Sequence, residues 1–166
     1  MTADIPLPIE TERLTIRPLS ENDAEAVHEI WSDPEVMRYI PSLPSVTLDE
    51  SRTRLARHMA RSPGLWAVVE RDTGELVAVC GLMAVEGTGP DIEVAYHVKQ
   101  RHWNRGVATE AASACVNAGL TAGLPRIVAF VVPENLASAR VLEKAGLHRD
   151  GMAQAYGLDL ARFVTG

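Results

Sequence analysis

The sequence has few cysteines and no long apolar run. Its two cysteines, Cys80 and Cys115, both lie within apolar stretches. Two buried thiols indicate a reducing compartment rather than a disulfide framework or a metal site. No apolar run reaches the roughly 18 residues that a membrane helix requires, and the N-terminus lacks the basic-then-apolar pattern of a secretion signal. We therefore expect a cytoplasmic protein without a membrane partner.

Basic charge is also scarce, since 16 Lys and Arg stand against 22 Asp and Glu and the net charge is −6. An acidic total disfavours broad binding to nucleic acid, so no nucleic-acid partner is expected. The chain lacks the G-x-x-x-x-G-K-S/T motif of P-loop nucleotidases and the G-x-G-x-x-G motif of dinucleotide-binding folds. No spacing of His, Cys, Asp and Glu indicates zinc, so we expect no metal.

The pattern of apolar residues predicts a mixed fold. A chain of 166 residues with 46% hydrophobic residues suits one domain with one sizeable core. After a loose leader at residues 1–10, the periodicity predicts the order β-α-α-β-β-β-α-β-α-β-β. The "RDTG" turn joins two strands as a hairpin, which excludes an all-parallel sheet. The predicted class is an α/β (α+β) sandwich.

The stretch "HWNRGVATEAA", His102–Ala112, marks a junction between a strand and a helix that we expect over Arg105–Ala122. The first N–H groups of a helix have no partner within it and carry partial positive charge, so they can bind the oxygens of a phosphate. Gly106 permits close approach to the backbone, and Arg105 adds a positive charge. From these residues alone, an ordinary helix start is an equally good interpretation.

Three stretches together resemble one family. They are "ETERLTIRPLSENDAEAVHEIWSDPEVMRYI", "GPDIEVAYHVKQRHWNRGVATEAA" and "VPENLASARVLEKAGL". The chain resembles, over nearly its whole length, the GNAT superfamily of acyl-CoA-dependent N-acetyltransferases, and within it the RimJ/RimL branch. The resemblance implies a single GNAT domain over residues 1–166. It also implies a mostly antiparallel central sheet, flanked by about four helices, with a splay between two strands for acyl-CoA.

The resemblance also assigns residues to acetyl-CoA. Loop amides would bind the pyrophosphate, and the edge of the strand "EVAYHVKQ" would pair with the pantetheine arm as an added strand would. Asn135 would contact that arm from its other side. The implied cofactor-binding residues are Val98, Arg105, Gly106, Val107, Ala108, Thr109 and Asn135. Asn104 stands where the superfamily has a second glycine, and Trp103 is expected to be a packing anchor under the loop.

The family comparison implies two catalytic residues. Glu93 matches an acidic position and would act as the base that deprotonates the amine, directly or through water, with His97 in reserve. Ser138 would protonate the leaving thiolate. The Tyr that many members use for that step is replaced here by Leu142, and Tyr156 is the substitute. A strand-edge role for Glu93 and a solvated, idle Ser138 remain open.

The predicted function is transfer of an acetyl group from acetyl-CoA to a primary amine by direct attack. The alternative is a catalytically silent acyl-CoA-binding or sensor domain, which would require Gly106 and Asn135 but neither Glu93 nor Ser138. The acceptor stays open among a protein N-terminus, an amino acid, a polyamine and an aminoglycoside-like drug, with Trp31 and Tyr39 expected at its pocket. Whether the chain forms a homodimer, as is common in such families, also stays open.

Overall fold

The computed structural model describes residues 4–166, which contain eight strands and four α-helices. The strands are β1 (Ile9–Glu10), β2 (Leu14–Pro18), β3 (Leu65–Glu70), β4 (Leu76–Ala84), β5 (Ile92–Val98), β6 (Val128–Val131), β7 (Leu147–Ala155) and β8 (Leu158–Thr165). The helices are α1 (Ala24–Trp31), α2 (Leu48–Met59), α3 (Val107–Thr121) and α4 (Leu136–Lys144). The predicted order of elements is confirmed from β2 onward.

All eight strands form one sheet in the order β1-β2-β3-β4-β5-β6-β8-β7. Neighbouring strands are antiparallel except β5 and β6, which run parallel. The fold is therefore the mixed, mostly antiparallel sheet with four flanking helices that the sequence predicted.

Two details differ from the sequence predictions. Within the expected leader, Ile9–Glu10 pair with β2 as β1, and Ile5 and Leu7 pack against the core. Residues 1–3 of that leader lie outside the described residues. The helix expected from Arg105 begins instead at Val107, because Gly106 before it has a left-handed backbone with φ of +77°.

Helices cover both faces of the sheet. On one face, Ala112 and Cys115 of α3 and Leu142 of α4 belong to the same apolar cluster as Val94 and Val98 of β5. On the other face, Val27 and Ile30 of α1 and Leu55 of α2 form a second cluster, with Val79 of β4 and Ala95 of β5. Successive side chains of a strand point to opposite faces. The even-numbered residues of β5 thus face α3 and α4, and the odd-numbered ones face α1 and α2.

The state of the cysteines and the length of the helices can be compared with the expectations from the sequence. Cys80 and Cys115 are both free and buried, as the sequence indicated. None of the helices described over residues 4–166 is long and apolar enough to cross a membrane.

Candidate active site

The parallel strands β5 and β6 separate shortly after they meet. Within residues 4–166 their register contains one pair, Glu93 opposite Val128. The N–H of Lys99 donates to the carbonyl of Val77 on β4 at 3.0 Å. Because pairing alternates along an antiparallel ladder, the backbone groups of the even-numbered residues of β5 face away from β4. The peptide groups of Tyr96 and Val98 therefore line an open edge in the middle of the sheet.

The loop after β5 is shaped for an anion. Asn104 and Gly106 have φ of 63° and 77°, and Arg105 between them is not among the residues of positive φ. This alternation of backbone hand is the kind that gathers successive amides into an anion-binding concavity. Asn tolerates the left-handed region better than most residues, so Asn104 can adopt this conformation without being a glycine. Val107, Ala108 and Thr109 follow as the first turn of α3, whose outermost amides have no intrahelical partner.

A second arginine lies beside this loop. A Cβ placed on Gly106 would come within 3.2 Å of Nη2 of Arg13. The Nε of Arg13 donates to the Glu110 carboxylate at 2.8 Å, and that carboxylate also accepts from the backbone N–H of Arg13 at 2.9 Å. Arg13 is therefore fixed in position by α3 while its outer nitrogen faces the loop. The side chain of Arg105 itself is exposed.

Trp103 anchors the loop to the open edge of β5. Its indole Nε1 donates to the carbonyl of Val98 at 2.9 Å. The sequence predicted a packing anchor under the loop, but the Trp103 side chain is 40% exposed, so it anchors the loop by this hydrogen bond and not by burial. The carbonyl of Val98 is thus occupied, and its N–H is the group that remains for a ligand.

A cavity of about 490 Å³ opens at the splay. It is lined from β5 by Glu93, His97 and the residues between them, from α4 by Asn135 and Ser138, and from the β7–β8 turn by Tyr156. Tyr39 also lines it, whereas Trp31 is fully buried beneath it. The structure thus brings the two predicted catalytic residues and Asn135 to one cavity, while the Arg105–Thr109 loop lies outside its lining.

Glu93 is the most perturbed carboxyl group of this cavity. Its side chain is only 7% exposed, and burial raises its pKa to about 7 despite a hydrogen bond from the Tyr156 hydroxyl. The neighbouring charge of Glu86 raises the pKa further. A carboxyl group with a pKa near neutrality is suited to accept a proton at physiological pH.

His97, the reserve base, has a different environment. Its Nδ1 accepts a hydrogen bond from the indole of Trp31 at 3.1 Å. Burial lowers the pKa of His97 to about 3, with His58 and Arg54 contributing through their charge. An imidazole with that pKa stays neutral and is a weak base, so Glu93 is better suited than His97 to accept a proton near pH 7.

Ser138 is held at the start of α4 on the opposite face of the sheet from Glu93. Asn135 caps the helix, because its side-chain oxygen accepts from the N–H of Ser138 at 3.2 Å. Its amide nitrogen stays available for a ligand. The Ser138 hydroxyl lies 2.7 Å from the hydroxyl of Tyr96. Burial raises the pKa of Tyr96, which keeps its hydroxyl protonated.

Tyr156, the substitute acid, interacts with the base instead. Its hydroxyl donates to Glu93 at 2.5 Å and accepts from the N–H of Glu86 at 3.2 Å. Burial and the Glu93 carboxylate raise its pKa. This geometry pairs Tyr156 with Glu93 and leaves Ser138 to Tyr96.

Several residues of this region were not predicted from the sequence, among them Arg13, Arg54 and Tyr96. The alternation of β5 already implied that Tyr96 faces the side opposite Glu93. The helical spacing of Arg54, His58 and Arg61 likewise indicated one face of α2. No local pattern indicated Arg13, which reaches the loop from 93 positions away.

Comparisons with known proteins identify the family. The family model of the acetyltransferase (GNAT) domain matches residues 13–148. The chain belongs to the GNAT acetyltransferase family. It is 33% identical to the uncharacterized N-acetyltransferase YoaA of Bacillus subtilis strain 168, over 89% of this chain and 86% of YoaA. The enzyme class predicted from the sequence is confirmed: the chain is an N-acetyltransferase.

Solved structures of GNAT enzymes share the fold. A GNAT-family acetyltransferase from Bacillus anthracis is similar with a TM-score of 0.82 and 31% identity, covering 95% of this chain and 96% of that one. Spermidine N-acetyltransferase from Vibrio cholerae, solved with CoA and spermine, has a TM-score of 0.77 at 18% identity, covering 93% and 95%. At that identity the second likeness shows the fold alone.

Proposed function

We propose that this GNAT enzyme transfers an acetyl group from acetyl-CoA to a primary amine by direct attack. The observation that carries the proposal is the splay at Glu93, where an open strand edge, a perturbed carboxyl group and a paired hydroxyl meet in one cavity. Acetyl-CoA supplies the acetyl thioester. Both cysteines are buried away from the cavity lining, which supports transfer without an acyl-enzyme.

The residues present fit acetyl-CoA at two places. The loop around Gly106 is narrow, because a side chain there would meet Arg13, and it presents free amides beside two arginines. Such a loop suits a pyrophosphate. The open edge of β5 suits an extended amide-bearing arm, because peptide groups at Tyr96 and the N–H of Val98 have no strand partner on that side. The side-chain amide of Asn135 would contact the same arm.

The two sides of the splay would divide the proton transfers. Glu93, ionised above its pKa of about 7, would take a proton from the ammonium of the acceptor, and the free amine would then bond to the acetyl carbon. When the carbon–sulfur bond breaks, Ser138, hydrogen-bonded to Tyr96, would donate a proton to the sulfur. The second proton that the nitrogen loses as the amide forms would pass through water and restore Ser138. Tyr156 would orient Glu93 through its hydrogen bond.

The test is acetyl-CoA turnover with a panel of amines, read by release of the CoA thiol. We expect thiol release that requires both an amine and Glu93, with an acetylated product confirmed by mass spectrometry. A chain that binds CoA tightly but acetylates no amine across the panel would instead favour the silent binding domain.

A further inference from the structure

Basic side chains form one wall of the cavity at the splay. Arg54, Arg57 and His58 lie on one face of α2, and Arg61 follows two residues after its end. We call these four residues the α2 basic wall. Because α1 and α2 cover the face of the sheet opposite α3 and α4, the wall lies on the Glu93 side of β5 and not on the side of the Gly106 loop.

The positive charges of this wall have no acidic partner. Within residues 4–166, no carboxylate lies within 4.0 Å of the guanidinium groups of Arg54, Arg57 or Arg61. Elsewhere the buried Lys99 is bridged by Glu29 at 2.9 Å and Glu75 at 3.4 Å. The charge of Glu50 acts on Arg54 without forming an ion pair with it. The three neighbouring cations therefore still repel one another, and a bound anion would relieve that repulsion.

Arg54 is held in place with one nitrogen unsatisfied. Its Nη2 donates to the carbonyl of Leu43 at 2.6 Å, and its guanidinium lies 5.4 Å from the ring centre of Trp31. Its Nη1 is buried without a hydrogen-bond partner among the described residues, as is Nδ1 of His58. A buried donor without a partner is costly, which suggests that a ligand satisfies it. Burial and the charge of Arg57 lower the pKa of Arg54, in agreement with this environment.

The lining of the same cavity also includes acidic side chains. They are Glu93 and Glu86, and Tyr156 contacts both. One molecule in the cavity could therefore contact a carboxylate and guanidinium groups at the same time. The cavity of about 490 Å³ must also admit the thioester end of the donor, so the part of the acceptor that enters it is small.

We propose that the acceptor is a small zwitterion, in which the amine to be acetylated lies at Glu93 and an anionic group is bound by Arg54, Arg57 and Arg61. The anionic group is a carboxylate or a phosphonate, because both match the planar fork of arginine. The proposal rests on the proposed function, since it names the substrate class of the same site. It places polyamines and other purely cationic amines outside the preferred substrates.

The experiment compares acceptors that differ only in the anion. Thiol release is measured with a panel of amino acids and with the carboxamide of each, and with aminoalkylphosphonates against the matching amino alcohols. Hydrogen bonds to charged groups contribute enough for about a 10- to 100-fold preference in kcat/KM for the anionic member of each pair. The carboxylate and phosphonate series show which anion the arginines bind.

Variants of α2 test whether the arginines of the α2 basic wall bind the anion. Arg54→Met should raise KM for the anionic acceptors and reduce their preference over the neutral partners to near 1, while the Kd for CoA stays unchanged in calorimetry. Arg57→Met, at an exposed position, tests the same wall if Arg54→Met does not fold. Arg52→Met is the matched control, because Arg52 is exposed on the same helix, pairs with Asp49 and does not line the cavity.

The possible failures are distinguishable. If no amine in the panel releases thiol, the proposed function fails. If amines are acetylated but neutral or cationic members react as well as anionic ones, the zwitterion proposal is overturned while the function stands. If the α2 variants weaken CoA binding instead of acceptor binding, the arginines hold a phosphate of the cofactor, and the proposal is again wrong.

Discussion

The two faces of the sheet contribute different kinds of groups to the cavity region. On the α3 and α4 face, the groups available to a ligand are largely backbone amides, set by the loop at Gly106 and by the open edge of β5. On the α1 and α2 face they are charged side chains, the α2 basic wall and Glu93, whose charges are unpaired or strongly perturbed. Under the proposed function, backbone groups would recognise the cosubstrate that every reaction shares, whereas side chains would recognise the acceptor. Acceptor choice could then diverge while the loop at Gly106 stays the same.

The largest expected effect tests the backbone amides of the loop at Gly106, on the α3 and α4 face. CoA at about 100-fold above its Kd should stabilise the wild type by roughly 2.7 kcal/mol. Gly106→Glu should abolish that stabilisation, because the new side chain adds negative charge, meets Arg13 and strains a residue with φ of 77°. Thermal shift with and without CoA measures the effect. Gly123→Glu is the control, since Gly123 also has positive φ, of 103°, and has open space around it. An unchanged shift in a folded Gly106→Glu protein would remove the loop from the binding site.

The second-largest expected effect tests Glu93, a charged side chain on the α1 and α2 face. Glu93→Gln should lower kcat by about 10²- to 10⁴-fold, the usual loss for a general base, and leave the Kd for CoA intact. In the wild type, kcat/KM should rise with pH through about 7 as Glu93 ionises. The variant should lack that rise, and its deficit should shrink at high pH, where free amine is present. Glu143→Gln, on the exposed side of α4, controls for loss of a carboxylate. Equal pH profiles for Glu93→Gln and wild type would exclude Glu93 as the base.

The pH dependence of stability should also differ between the faces, because the two half-buried histidines with lowered pKa values, His58 and His97, lie on the α1 and α2 face. The pKa of His97 is lowered to about 3 and that of His58 to about 4. A histidine with a depressed folded-state pKa stabilises the protein above about 6.5 and loses that contribution as pH falls. From pH 7 to 5 each should cost roughly 2 kcal/mol of unfolding free energy.

Glu93 changes the unfolding free energy with pH in the opposite direction to the histidines. Its raised pKa makes the folded state lose stability as pH rises from about 4.5 to 7, so it offsets part of the histidine effect on acidification. Urea unfolding at pH 5 and 7 should therefore show a steeper acid loss in Glu93→Gln and a shallower one in His97→Gln than in the wild type. The reverse order would mean that these groups are not buried as described.

The smallest expected effect returns to the α4 side. Ser138→Ala and Tyr96→Phe should each lower kcat by about 10-fold, because a CoA thiolate leaves readily near neutral pH with a thiol pKa of about 8.5. If the two hydroxyls act as one relay, the double variant should lose little more than either single one. Additive losses would show that the 2.7 Å contact between them is structural and that they act separately.

The loop around Gly106 could be predicted because the sequence features that indicate it are adjacent in the chain. The permissive backbone at Gly106 and a helix start beside it follow from a few adjacent residues, and the sequence indicated both, although the helix begins at Val107 and not at Arg105. The arrangement of groups on the α1 and α2 face depends on contacts between residues that are distant in sequence, and only the fold brings these residues together. Arg54 meets Trp31 across two helices, and His97 meets the same indole across 66 positions. No spacing in the sequence indicates that three arginines lack acidic partners, because that depends on where every carboxylate lies.

The open edge of β5 has a consequence beyond binding. An unpaired strand edge is a template for pairing with another chain, and proteins normally restrict such edges to the margins of a sheet and protect them there. This fold has one in the centre of its sheet, at Tyr96 and Val98. The indole of Trp103 occupies one carbonyl of that edge and so shortens the stretch open to a foreign strand. A bound pantetheine arm would cover the rest. The cosubstrate would then also guard the enzyme against self-association, and protein stored without CoA should be the form that aggregates first.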